Sequence, residues 1–313
     1  MHPFRLVSAT LVLLFGGTAI AEDADWYPSR FGDDDRIGAA NHLSPEIVKQ
    51  AAALVTTGKA YSLGMEVTQD TPAYPPRTYQ IFITQSNDGT GPVIGENRAT
   101  ANDDLVMTYL GIASQIDGLG HLGIDHRYYN GLHAKDFVDP TGLKELGTHT
   151  IPPIVTRGVL LDMAALRGVD TVKEGTAYNR AEIEAAVAKQ GTPIRKGDVV
   201  LFHSGWHAKL ESDPDQWWQM HPGPGVEGAQ YLADLGVVAV GADSTAVEVL
   251  PSENEARPYE VHQILLAKNG VYILENMWTN DLAADGVHEF LFVLGQPKFK
   301  GAVQMVVNPI AIR

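Results

Sequence analysis

The amino-acid sequence predicts a single α/β or α+β domain. Short runs rich in β-branched and apolar residues alternate with helix signals along the second half of the chain. That order is expected where helices pack on a sheet. No repeat, low-complexity tract or polar linker divides the chain, and 313 residues with 44% hydrophobic content suffice for one large core. We therefore expect one domain over residues 22–313.

Local signals define the first elements. Residues 44–58 begin with Ser44 and Pro45 and end with Gly58, which indicate the N-cap, the first helical position and the end of a helix. Residues 70–103 are rich in Pro, Gly, Asn and Asp. They predict an ordered loop that contains one strand at residues 79–84 and could form the wall of a site.

The later elements alternate. Strands are predicted at residues 159–161, 199–203, 237–240 and 271–274. Two helices are predicted between them. Asn179 and Glu182 form a capping box that opens the first, and Gly191 closes it. The second spans residues 226–235.

The first 21 residues predict a secretory signal. Arg5 precedes a short apolar stretch, and Ala19-Ile20-Ala21 forms an A-x-A cleavage site. An uncleaved anchor is the alternative, but the apolar run is shorter than the roughly 20 residues that span a bilayer. We expect a mature chain from Glu22 that is exported to the periplasm or secreted, with no membrane segment after cleavage.

Charge and cysteine content exclude several classes of protein. The formal net charge is −15, and removal of Arg5 with the signal leaves 22 basic against 38 acidic residues, or −16. Nucleic acid is not expected as a partner, because phosphate binding needs a basic surface. The chain has no cysteine, so a metal ion would have to bind imidazole, carboxylate or amide groups.

The segment GIASQIDGLGH, residues 111–121, is the best candidate for a functional site. A strand over residues 111–117 would place Ala113, Gln115 and Asp117 on one face. The glycines that follow would let the chain fold back and bring His121 toward that face. The alternative is that Asp117 caps a turn and His121 is a buried, hydrogen-bonded histidine.

Two further candidates lie near the end of the chain. His262 stands at the start of an apolar helical stretch, and Glu275 directly follows the apolar run at residues 271–274. A carboxylate in that position needs a partner, a metal ion or water. By itself, Glu275 could equally be part of a structural salt bridge.

With these residues identified, the sequence resembles the cyclase-like metal-dependent hydrolases, which include bacterial arylformamidase, isatin hydrolase and trans-dienelactone hydrolase. Residues 111–121 align with the family motif H-x-G-T-H-x-D-x-P-x-H. Asp117 and His121 match, Gly111 and Gln115 replace the first two histidines, and Leu119 replaces the proline. Similar blocks follow in the family's order: YNG at 129–131, FHSGW at 202–206, HPG at 221–223, GAD at 241–243, His262, and LEN at 274–276.

The resemblance implies a compact α/β domain around a mixed, barrel-like β core with flanking helices, assembled as a homodimer or homotetramer. It also implies one or two divalent metal ions, Mn²⁺ or Zn²⁺, and hydrolysis of an amide, imide or lactone bond in a small cyclic or aryl substrate. Oxygen-rich ligands favour Mn²⁺. The implied roles are metal ligand for Gln115, Asp117, His262 and Glu275, proton transfer for His121, and substrate contact for Trp206 and His221. His126 or His133 could join the site in place of the missing histidines.

Other classes of function remain as alternatives. An exported binding protein could keep the fold and lose catalysis together with the two histidines. A serine hydrolase is not supported, because Ser204 lacks the first glycine of a G-x-S-x-G turn. A redox metalloenzyme has no supporting motif beyond the candidate ligands.

Overall fold

The chain is organised around a nine-stranded mixed sheet that curls into a half barrel. The structure is a computed structural model that describes residues 26–84 and 92–313. The predicted signal segment, residues 1–21, lies outside the described residues. The strands are β1 (Ala60–Ser62), β2 (Tyr79–Ile83), β3 (Asp104–Thr108), β4 (Gln115–Asp117), β5 (Ile154–Asp162), β6 (Ala177–Tyr178), β7 (Val199–His203), β8 (Gly223–Pro224), β9 (Ala239–Ala242), β10 (Tyr272–Glu275), β11 (Glu289–Leu294), β12 (Gln304–Val306) and β13 (Ile310–Ile312).

The order of strands in the large sheet is β1-β13-β11-β5-β7-β9-β10-β4-β12. The central strands β5, β7, β9 and β10 run parallel, and the remaining neighbours pair antiparallel. Every residue of β7, β9 and β10 is buried. This explains why these strands are apolar except at the ends of β7 and β10, since both faces of a parallel sheet are covered. The predicted α/β class and barrel-like core are confirmed.

Helices flank the sheet and connect its strands. They are α1 (Pro45–Ala52), α2 (Ala134–Phe137), α3 (Met163–Arg167), α4 (Arg180–Gln190), α5 (Lys209–Ser212), α6 (Pro214–Gln219), α7 (Val226–Leu235), α8 (Glu260–His262), which continues as the π-helical turn Gln263–Lys268, and α9 (Asn280–Ala284). The capping box of α4 is present as predicted, and Gly191 ends that helix in the left-handed conformation. Among the described residues, no helix combines the length and apolar character needed to cross a membrane.

Two local predictions were wrong. Helix α1 ends at Ala52, well before Gly58, because the backbone amides of Thr57 and Gly58 donate hydrogen bonds to the carbonyl of Arg313 and direct the chain into β1. Only residues 115–117 of the segment 111–117 form a strand, because Ala113 has a φ of 55°, in the left-handed region, which interrupts extended backbone.

A separate two-stranded ribbon projects from the domain. Strands β2 and β3 pair with each other and not with the large sheet. Six of their apolar side chains are between 40% and 63% exposed: Ile81, Phe82, Ile83, Leu105, Val106 and Met107. An isolated hairpin is marginally stable in water, and the exposed side chains form an apolar patch on this part of the surface.

Candidate metal and catalytic site

Strand β4 brings the acidic centre of the site together. It lies between β10 and β12, with Gln115 opposite Glu275 and Asp117 opposite Gln304. Opposite residues of antiparallel strands point to the same face, and residues two apart in a strand do as well. The four polar side chains therefore converge on one face of the sheet although up to 189 positions separate them.

The turn after β4 returns the chain toward this face. The backbone amide of His121 donates to the carbonyl of Gly118 at 3.0 Å. Neither Gly118 nor Gly120 has a positive φ, so the glycines are not required for a left-handed turn. They are required for space, because a Cβ at Gly118 would lie 2.8 Å from the carbonyl oxygen of Val303 and one at Gly120 2.6 Å from Leu143.

Helix α8 supplies His262 from the opposite side. Its Nε2 lies 3.6 Å from a Glu275 oxygen and 3.8 Å from Oδ2 of Asp117. Its Nδ1 is hydrogen-bonded to Glu248, which is 2% exposed. The ring centres of His262 and His121 are 6.2 Å apart. Glu248 therefore fixes the orientation of His262 and directs Nε2 toward the two carboxylates.

Two carboxamides complete the polar network. The amide nitrogen of Gln115 donates to Glu275 at 2.9 Å and to Asp117 at 3.1 Å. The amide nitrogen of Gln304 donates to Oδ1 of Asp117 at 2.8 Å and lies 3.5 Å from Nε2 of His121. Even so, Oδ2 of Asp117 and Oε1 of Gln115 are buried without a hydrogen-bond donor among the described residues.

Burial and neighbouring charges change the proton affinities of the site. Burial and the charge of Asp117 raise the pKa of Glu275 to about 8. Burial alone would lower the pKa of His262, but hydrogen bonds to Glu248 and Glu275 raise that pKa to about 10. Burial is the main cause that lowers the pKa of His121 below its ordinary value. His121 is therefore an imidazole that is neutral near pH 7 beside the buried carboxyl groups of Asp117 and Glu275.

These residues fit a divalent cation. Asp117, His121 and His262 each offer a ligand atom, and the three atoms lie within 4.8 Å of one another, the one such cluster in residues 26–84 and 92–313. An orphaned carboxylate oxygen that is fully buried is costly unless a cation or donor meets it. Glu275 adds a further oxygen next to His262, and Gln115 presents its unpaired Oε1.

A cavity of about 370 Å³ opens beside this cluster. His121, His262 and Glu275 form its floor. The rest of its lining comes from the predicted loop, from the segments that follow β3, β4 and β9, and from the N-cap of α8: Tyr74, Pro75, Pro76, Arg77, Tyr109, Leu122, Ala246 and Tyr259. The volume lies within the usual range for small-molecule sites. The loop-rich segment before β2 thus forms a wall of the site.

The other predicted residues lie elsewhere. Trp206 is fully buried and donates from its indole nitrogen to the carbonyl of Trp217. His221 is also fully buried, and neither residue lines the cavity. His126 is exposed, and His133 caps α2 with a ring centre 6.2 Å from that of His126.

Sequence reasoning missed Glu248, Gln304 and Arg77. Glu248 could have been noticed, because it is an acidic residue within the apolar segment AVEVL at residues 246–250. Gln304 carries no comparable signal. It becomes relevant only through the pairing of β12 with β4.

The Glu248→Gln variant is expected to bind a divalent metal about 10- to 100-fold more weakly, the usual effect of removing a carboxylate that orients a ligating histidine. Competition with a chelator measures the affinity. Glu260→Gln is the matched control, because Glu260 lies in the same helix as His262 but pairs with Arg257. Equal affinities of both variants and the unmodified protein would show that Glu248 does not position His262.

The fold and the site define a mixed α/β protein with a candidate metal centre below a small, partly aromatic cavity. The sequence matches the cyclase family model, described as "Putative cyclase", over residues 61–249, more than half of the chain. The chain therefore belongs to the cyclase family. No curated protein matches it significantly by sequence.

Solved structures resemble the chain over nearly its whole length. A structure described as a novel cyclase is 29% identical, with a TM-score of 0.81 over 91% of this chain and 98% of its own. Isatin hydrolase A from Ralstonia solanacearum is 17% identical, with a TM-score of 0.64 over 87% and 99%. A predicted metal-dependent hydrolase from Bacillus stearothermophilus is 16% identical, with a TM-score of 0.54 over 82% and 98%. The last two likenesses establish the shared fold.

Proposed function

We propose that the chain is a metal-dependent hydrolase that cleaves an amide, imide or lactone bond in a small cyclic or aryl compound. The observation that carries this proposal is the position of His121, a half-buried imidazole with a lowered pKa. It lies beside the Asp117 and His262 cluster and in the floor of the cavity. The names of the neighbouring structures, isatin hydrolase and metal-dependent hydrolase, support the same class of reaction.

The proposed metal ligands are Asp117, His262 and Glu275, with Gln115 as a further oxygen donor. A divalent cation bound there would polarise the substrate carbonyl and acidify water near neutral pH. Carboxylate and amide oxygens outnumber the imidazoles in this set, which favours Mn²⁺ over Zn²⁺. Asp117 and Glu275 would balance the charge of the ion, and Glu248 would hold His262 in place.

His121 is the proposed general base and acid. Because its lowered pKa keeps the ring neutral near pH 7, it can accept a proton from the attacking water. The same ring would then donate that proton to the leaving nitrogen or oxygen. Gln304, 3.5 Å from Nε2 of His121, would hold the ring toward the carboxylates.

The substrate class follows from the cavity. Its volume of about 370 Å³ suits one or two rings, and three tyrosines line it: Tyr74, Tyr109 and Tyr259. Aromatic walls favour flat substrates. Isatin is the substrate that the names of three structural neighbours indicate for those proteins. A cyclic imide or lactone of that size would fit here.

A substrate panel tests the proposal. Metal-free protein loaded with Mn²⁺ or Zn²⁺ would be assayed with N-formylkynurenine, isatin and dienelactone. Hydrolysis of at least one compound that disappears on chelation is the expected result. Tight binding without turnover would favour the second candidate, a binding protein. This alternative is considered because Gly111 and Gln115 replace two histidines of the family motif.

We also propose that the chain self-associates as a homodimer or homotetramer through the β2 and β3 ribbon. The exposed apolar side chains of that ribbon support this, because a second copy would remove them from water. Light scattering is expected to give two or four times the chain mass, and Phe82→Lys is expected to lower it. Phe299→Lys, another exposed phenylalanine outside the ribbon, is the control. A monomeric mass for the unmodified protein would contradict the proposal.

Export with cleavage before Glu22 stays a proposal that rests on the sequence of residues 1–21. The amino-terminal sequence of the protein recovered from the periplasm or medium tests it.

A further inference from the structure

The wall of the cavity contains an arginine. Among the described lining residues, Arg77 is the only lysine or arginine. It belongs to the segment that leads into β2, on the wall above His121 and Glu275. The roles proposed above for Asp117, His121, His262 and Glu275 leave this charge without a function.

Arg77 is held in the wall without a carboxylate partner. One of its terminal nitrogens donates to the backbone carbonyl of Gly111, and its guanidinium lies 5.8 Å from the ring centre of Tyr74. Within the part of the chain that the structure describes, no acidic side chain lies within ion-pair distance of it. A guanidinium has five N–H donors, and the hydrogen bond to Gly111 uses one of them.

Arg77 faces the same cavity as the reacting groups. It lines that cavity together with His121, His262 and Glu275. A ligand in the cavity can therefore contact Arg77 and these groups at the same time. A half-buried guanidinium that has no ion-pair partner among the described residues is poorly compensated, and an anionic ligand would compensate it.

We propose that Arg77 is a specificity-determining residue that binds a carboxylate of the substrate, so that the natural substrate is an aromatic acid carrying the scissile amide, imide or lactone. The tyrosines of the cavity would contact the ring, and Arg77 would form a charge-assisted, bidentate hydrogen bond with the acid group. This inference rests on the proposed function, since it names the substrate class of the same site.

Paired ligands test the inference. The three positional isomers of formamidobenzoate would each be compared with the corresponding carboxamide, which has nearly the same shape and no charge. Calorimetry on Mn²⁺-loaded protein gives the dissociation constants, and formate release gives turnover. For at least one isomer, the carboxylate is expected to bind about 10- to 100-fold more tightly, the value of a hydrogen bond to a charged group.

Three variants separate the possible causes of that preference. Arg77→Gln is expected to weaken the carboxylate about 10- to 100-fold more than the carboxamide, and Arg77→Lys to keep part of the preference. Arg257→Gln is the matched control, because Arg257 is an exposed arginine that pairs with Glu260 and does not line the cavity. It is expected to keep the full preference.

Each other outcome contradicts the inference. A preference that survives in Arg77→Gln would mean that the carboxylate binds the metal. Equal losses for both members of a pair would mean that Arg77 acts on every substrate. No preference in the unmodified protein would exclude anion recognition. Because binding is measured separately from formate release, a protein that discriminates the pairs without turnover would support recognition by Arg77 and contradict formamide hydrolysis alone.

Discussion

The Asp117→Asn protein is expected to lose bound metal and, with it, hydrolysis. Oδ2 of Asp117 is fully buried, has no hydrogen-bond donor among the described residues, and lies 3.8 Å from Nε2 of His262. Removal of a buried ionic partner costs roughly 3–5 kcal/mol, which corresponds to about 10²- to 10⁴-fold in metal affinity. Elemental analysis after dialysis against a weak chelator measures the occupancy.

Asp125→Asn is the control for this prediction. Asp125 lies four residues beyond His121, is exposed, and does not line the cavity. Its left-handed φ of 47° is a conformation that asparagine also tolerates. The control is expected to keep its metal. Full occupancy in Asp117→Asn would remove Asp117 from the ligand set.

The His121→Ala protein is expected to keep its metal and lose turnover by about 10²- to 10⁴-fold, the usual contribution of a general acid or base. His126→Ala, which removes an exposed histidine of the following loop, is expected to retain activity. Unchanged turnover in His121→Ala would reject the proton-transfer role. Loss of metal together with turnover would make His121 a ligand, a role that its position in the cluster also allows.

The pH dependence of the unmodified enzyme provides a second measurement of the same role. Because burial lowers the pKa of His121, the neutral base is the major form at pH 7. The acid limb of kcat/KM is therefore expected below pH 6.5, and the His121→Ala variant is expected to lose that limb. An acid limb that persists unchanged in the variant would belong to another group.

The sequence predicts those parts of the fold that depend on local patterns. The apolar run at residues 199–203 and the helix at 226–235 coincide with β7 and α7, because burial and periodicity specify them locally. The predicted end of α1 was wrong because the path of the chain after this helix depends on hydrogen bonds to the carbonyl of Arg313. No pattern near residue 52 contains that information.

The site was only partly predictable for the same reason. The GIASQIDGLGH segment identifies Asp117 and His121 because both lie within one short motif. Glu248 and Gln304 reach the site through contacts that span 14 and 187 positions. Their roles follow from the pairing of β4 with β12 and from the placement of α8.

The glycine at position 111 illustrates how such distant contacts change a motif. A Cβ at Gly111 would overlap the side-chain amide of Gln304. A histidine there, as in the family motif, would therefore need the space that Gln304 occupies. The replacement of the first histidine by Gly111 therefore leaves the space in which Gln304 lies beside Asp117. This relation depends on the fold and is not evident from the sequence.

Anomalous diffraction from crystals soaked in MnCl₂ shows directly whether this face of the sheet holds a divalent cation. A single strong peak, or two adjacent peaks, is expected next to Asp117 and His262 at the floor of the cavity. A peak bonded to other residues, or none at these side chains at saturating Mn²⁺, would rule out the proposed metal centre.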